Sequence, residues 1–196
     1  PTINYYQTDS IQFFIDDAIK MAKKYDIDGY RVDAVKHIPR AVHYNMQTRI
    51  RNEIEHSNAG GSFEFYTVGE TFSGDRGLLA SYQGEKMLDG QFDFSLYWSI
   101  LSAFARNESS LLDLEISFEE SRLVYGDDLM SNFLGNHDVE RFISHAAGEV
   151  GSLYGDGLCP DGSWRGPAQI PGDDAYRKLK LAWTWLLTHP GPSLIY

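Results

Sequence analysis

Short apolar runs alternate along this chain with longer stretches of helical periodicity, and that alternation constrains the fold more than any other feature. Ile11, Phe14, Ile15, Ala18, Ile19 and Ala22 recur at helical spacing behind Asp9 or Ser10, either of which would serve as an N-cap. Residues 41–55, 78–83, 96–104, 118–125 and 175–187 read as further helices. Between them, residues 27–32, 63–68, 87–92, 130–134 and 192–196 read as strands. These runs are mostly apolar rather than strictly alternating, as expected of strands buried on both faces.

Strand alternating with helix implies a parallel α/β sheet, whose reactive groups collect at the carboxyl ends of the strands. Three of the five runs end in polar residues: Arg31 and Asp33, then Glu70, then Asn136, His137 and Asp138. Functional groups drawn from several strand ends suit a (β/α)8 TIM barrel. Eight strands close such a barrel, so five visible strands are expected to be its C-terminal part. Residues 151–174, rich in Gly, Asp and Pro, read as a long loop on the functional face.

Composition removes several other readings. With 196 residues, 42% hydrophobic and 23% charged, the chain can bury a core, which excludes disordered, collagenous and disulfide-scaffold proteins. Its 28 acidic and 17 basic residues leave a net charge of −11, unfavourable for nucleic acid or an anionic membrane. Cys159 is the only cysteine, so there is no internal disulfide, and no paired base marks it as a nucleophile. No apolar run approaches the roughly 18 residues of a membrane-spanning helix.

The chemistry centres on three carboxylates. Cleaving a glycosidic bond needs two carboxyl groups, one attacking the anomeric carbon and one protonating the leaving oxygen. A third negative charge can stabilise the oxocarbenium-like transition state. Arg31 lies two residues before Asp33 on the same strand face, where its fixed charge would keep Asp33 ionised. This favours Asp33 as nucleophile and Glu70 as proton donor. Taken alone, the same residues also read as a structural ion pair and solvated strand ends. Likewise His137 reads as a core histidine, Lys36 as a surface charge and Asn136 as a turn residue.

The run Gly29-Tyr30-Arg31-Val32-Asp33-Ala34-Val35-Lys36-His37 closely resembles the fourth-strand motif of the α-amylase family of glycoside hydrolases, family 13 type. Gly69-Glu70-Thr71 resembles its fifth-strand motif and Phe133-Leu134-Gly135-Asn136-His137-Asp138 its seventh. Gly191-Pro192-Ser193-Leu194-Ile195-Tyr196 resembles the eighth strand. The matches occur in family order. The resemblance implies about strands 4 to 8 of the barrel, so that residues 1–196 form one partial catalytic domain, with 1–8 as the tail of a preceding inserted segment.

The resemblance further implies a retaining mechanism, with Asp33 as nucleophile, Glu70 as general acid and then base, and Asp138 as transition-state stabiliser. Arg31 would hold the nucleophile, and His137 and Asn136 would meet the sugar at the cleavage point. Lys36 and His37 would meet it on the leaving-group side. Trp164 and Tyr154, in the long loop, are candidates for stacking on sugar rings, whereas Trp183 and Trp185 fall in a helix and read as core. The implied substrate is an α-1,4-linked glucan: starch, glycogen or a maltooligosaccharide. A transglycosylating or α-1,6-cleaving relative shares the same carboxylates. A non-catalytic amylase-like subunit is disfavoured because all three are present.

No cofactor is required by this reading, and calcium is the one metal it brings in, for the full-length enzyme. Against it, Thr2 stands where calcium-binding members carry an aspartate ligand, and a neutral hydroxyl is a poor substitute around a hard cation. His37 could offer only a backbone carbonyl. The acidic residues Asp156, Asp161, Asp173 and Asp174 do not fit the calcium-loop spacing. A secreted or extracellular setting is expected, and the 196-residue segment alone is expected to be inactive.

Overall fold

The computed structural model describes residues 7–56, 64–126, 129–154 and 170–196. In chain order these form α1 (Thr8–Tyr25), β1 (Gly29–Val32), a 3-10 turn (Val35–His37), α2 (Arg40–Ile50), β2 (Tyr66–Gly69), α3 (Arg76–Ala80), β3 (Gly90–Gln91), α4 (Phe94–Ile100), α5 (Leu111–Tyr125), β4 (Asn132–Phe133), α6 (Phe142–Ala146), α7 (Asp173–Thr188) and β5 (Ser193–Leu194). π-helical turns over Arg51–Glu55 and Leu101–Arg106 prolong α2 and α4. All five expected strands are present, in shortened form, and every pairing among them is parallel.

The chain divides into two compact units: Pro1–Phe72 with Gly77–Phe92, and Ser73–Arg76 with Asp93–Tyr196. In the first, β1, β2 and β3 form a three-stranded sheet in that order, with Val32 opposite Gly69 and Gly69 opposite Gln91. Helix α1 packs through Ile15, Ile19 and Ala22, which join Ile50, Ile54 and Phe65 in one buried cluster. It stops where Asp26 takes the left-handed conformation at φ 54° and donates its amide to the Ala22 carbonyl. Its N-cap is Gln7 rather than Asp9 or Ser10, which both lie inside the first turn. Thr8 is therefore helical, so the expected tail overlaps α1.

Close approach within the sheet is set by glycine. A Cβ on Gly29 would stand 2.3 Å from the Tyr66 carbonyl oxygen, so only glycine admits this register of β1 against β2. A buried polar latch fixes α2 to the sheet. Gln47 Nε2 donates to Thr67 Oγ1 at 2.6 Å, and the Thr67 hydroxyl and amide both donate to Asp89 Oδ2, at 2.5 and 2.8 Å.

In the second unit, β4 and β5 pair, and α4, α5 and α7 supply the apolar mass. Phe133 of β4 stacks on Tyr97 at 4.8 Å and meets Phe94 edge-on at 5.0 Å. Asp93 caps α4 by accepting the Leu96 amide at 2.9 Å. Burial in this position raises the Asp93 carboxyl pKa above its ordinary range. Trp183 and Trp185 are only partly buried, a correction to the core reading: Trp185 stacks on His189 at 3.8 Å and meets Phe118 edge-on. Asp173 and Asp174 are not loop residues but occupy the first turn of α7, where their charge suits the helix N-terminus.

Candidate active site

Strand β1 delivers Arg31 at its exposed face and Asp33 immediately beyond its end, two residues on and therefore on the same side. The Arg31 guanidinium is ion-paired with Asp33 Oδ1 and lies 5.9 Å from the centre of the Phe92 ring. A planar, permanently charged donor held in this way fixes the direction of the carboxylate. The Asp33 side chain is 70% exposed, open to a ligand.

Glu70 follows β2, and only 7% of its surface is exposed. The backbone braces it from both directions, since its amide donates to the Val32 carbonyl at 2.8 Å and its own carbonyl accepts from Val35 at 2.9 Å. Its carboxyl oxygen Oε2 accepts the amide of Ala34 at 3.0 Å. Ala34 adopts the left-handed conformation at φ 49°, uncommon for a residue with a side chain. That turn aims the amide after Asp33 at the Glu70 carboxyl, adding a side-chain bond to the two backbone bonds that join the candidate catalytic segments.

Lys36 and His37 lie in the 3-10 turn that follows. Lys36 Nζ donates to the Phe72 carbonyl at 2.7 Å, clamping the segment past β2. Phe72, two residues beyond Glu70, is 40% exposed. His37 lines a cavity of about 840 Å³ together with Arg31, Asp33, Tyr30 and Met21. Sequence reasoning missed the Ala34 amide and Phe72. The Gly-Glu-Thr run points to the second only by adjacency, and nothing in the residue types signals the first.

The second unit carries Asn136, His137 and Asp138 beyond β4. Asn136 Oδ1 accepts the Asp138 amide at 2.8 Å, an Asx turn that sets the direction of the next two side chains. His137 Nε2 and Asp138 Oδ2 are 3.1 Å apart, and both side chains are about half exposed. The Tyr196 ring lies 6.2 Å from His137. His137 is thus on the surface rather than in the core. Tyr154 meets Trp98 edge-on at 5.4 Å, in a groove that none of the three carboxylates lines. Trp164, Thr2, Cys159, Asp156 and Asp161 lie outside the described residues.

Among the described residues no three His, Cys, Asp or Glu side chains come together as metal ligands. No step in the proposed chemistry passes through a metal.

Parallel α/β architecture with an Arg-held carboxylate and a second carboxyl group bonded to the adjoining amide defines an enzyme-type site built at strand ends. Residues 1–154 match the model of the α-amylase catalytic domain, so the chain belongs to that family. It is 34% identical over 133 residues to α-amylase 1 of Lipomyces kononenkoae, covering 66% of this chain and 19% of the relative. It is 29% identical over 138 residues to a cyclomaltodextrin glucanotransferase of Bacillus sp. strain 38-2, covering 70% and 18%. The crystal structure of the Geobacillus thermoleovorans α-amylase complexed with acarbose is similar over 98% of this chain and 37% of its own, with 27% identity and a TM-score of 0.75. The chain thus spans well under half the length of each of these proteins.

Proposed function

We propose that the protein carrying this chain is a retaining glycosidase that cleaves α-1,4-glucosidic bonds in starch, glycogen or maltooligosaccharides, and that the chain supplies about strands 4 to 8 of its barrel. The observation that carries this reading is the pairing of an exposed, Arg31-held Asp33 with a buried Glu70 through the Ala34 amide. Family membership and the acarbose complex of the similar amylase support a glucan as the ligand.

In the first step the Asp33 carboxylate attacks the anomeric carbon, the bond to the leaving oxygen breaks, and that oxygen takes the proton of Glu70. In the second, Glu70 takes a proton from water, the water oxygen attacks the same carbon, and the bond to Asp33 breaks. Two displacements restore the anomeric configuration. Asp138 stabilises the positive charge that develops on the sugar, and Asn136, His137, Lys36 and His37 bind its hydroxyls. Transfer to a sugar acceptor instead of water is the second reading, favoured by the glucanotransferase relative and by the exposed residue Phe72, two beyond Glu70, which offers an acceptor a stacking face.

Substitution separates the roles. Asp33→Ala and Glu70→Gln are each expected to lower kcat by at least about a thousand-fold while the protein remains folded. Azide should partly restore Asp33→Ala by attacking the vacated face, giving a glycosyl azide of inverted configuration. Near-normal turnover in either variant removes that residue from the chemistry.

A further inference from the structure

A second groove, of about 410 Å³, lies between α4 with its π-helical extension and α5. At its mouth Trp98 and Tyr154 meet edge-to-face at an interplanar angle of 63°, and Tyr154 is 70% exposed. Gly74 passes so close beneath Trp98 that a Cβ there would stand 3.1 Å from Cζ3, which holds the indole in place.

The floor is rigid. Arg76 donates through Nε to Ser121 Oγ at 3.1 Å, through Nη1 to Glu120 Oε2 at 3.1 Å, and through Nη2 to the Ser117 carbonyl and hydroxyl at 3.0 and 2.6 Å. Its charge is thereby committed. What remains for a ligand among the described residues is Glu120 Oε1, Asp113 Oδ1 and the hydroxyls of Ser102 and Ser109, all lining the groove without a partner there.

Two carboxylate oxygens accept hydroxyl hydrogens and repel anions, and two serines both donate and accept. An aromatic pair with a few convergent polar groups suits a ligand with an apolar ring face and a rim of hydroxyls. We propose that this groove, whose lining includes none of Asp33, Glu70 and Asp138, is a second binding site for a neutral glucan chain. It rests on the glucan reading of the previous subsection. Tyr154, expected from the sequence to stack on sugar, would do so here beside Trp98.

The test is electrophoresis of the full-length protein carrying this chain in native gels with and without amylopectin, in a Glu70→Gln background that cannot degrade the polymer. The parent should be retarded by amylopectin. Adding Tyr154→Ala, or Ser109→Gln to fill the groove, should weaken the apparent affinity at least about five-fold, the loss of about 1 kcal/mol of contact. Neither change alters net charge, and Tyr154 is exposed enough that its removal leaves the fold intact, which a matching melting temperature verifies. Unchanged retardation in both variants overturns the proposal. A parent that is not retarded, when the unsubstituted protein hydrolyses amylopectin, overturns the groove and spares the glycosidase reading. Absence of both hydrolysis and retardation overturns the glycosidase reading and the groove with it.

Discussion

Gly29 and Gly69 show how single positions hold β1, β2 and β3 in register. A Cβ on Gly29 would strike backbone at 2.3 Å, whereas one on Gly69 would strike the side-chain ends of Gln91 and Leu88 at 2.3 and 2.5 Å. Gly29→Ala is therefore expected to cost about 3 kcal/mol in stability and Gly69→Ala about 1–2 kcal/mol, read by chemical denaturation. His43 supplies a pH dependence. Only 1% exposed, it is held by its Nε2 at 3.1 Å from the Val35 carbonyl, and burial lowers its pKa below the ordinary imidazole range. The unfolded chain then takes up a proton that the folded chain refuses. Stability is full above the unfolded pKa and falls as pH drops from there toward the folded one. Between about pH 7.5 and pH 5.5 the melting temperature should fall, and fall less in His43→Phe. At this scale the ion pair of Arg31 with Asp33 was legible, because residues two apart share a strand face. The bond from Ala34 to Glu70 was not, since a left-handed alanine leaves no mark in residue type.

Among elements, type was easier to read than extent. Strand expectations shrank from five or six residues to four or two because regular ladder pairing is confined to part of each apolar run. Helix α5 begins seven residues earlier than expected, at Leu111. Its first turns expose Leu111, Leu112 and Ile116, so apolar residues on the solvent side blur the periodicity. The start signal was nonetheless present in Ser110-Leu111-Leu112-Asp113, which forms a capping box. Ser110→Ala should cost about 1 kcal/mol, measured by urea denaturation, with the loss restored by Ser110→Thr. Helix α6 spans only five residues, too few to show a period.

For the whole molecule, β1 bonds on one side only among the described residues, and Phe13, Phe14, Leu123 and Ile195 are exposed. Free strand edges and apolar surface favour association. Residues 1–196 produced alone should sediment as an assembly and hydrolyse no starch. An active monomer would contradict the partial-barrel reading. The motifs legible in the sequence carried the family, while the allocation of Tyr154 to a groove with Trp98 depended on where the turn at Tyr154 meets α4. The most direct test of the proposed chemistry is to trap the intermediate in the protein carrying this chain with a 5-fluoro-α-maltosyl fluoride and to map the labelled peptide by mass spectrometry. The account predicts one glycosyl adduct, on Asp33, formed in wild type and lost in Asp33→Ala. An adduct on Glu70 or Asp138, or turnover to product of inverted configuration, would contradict it.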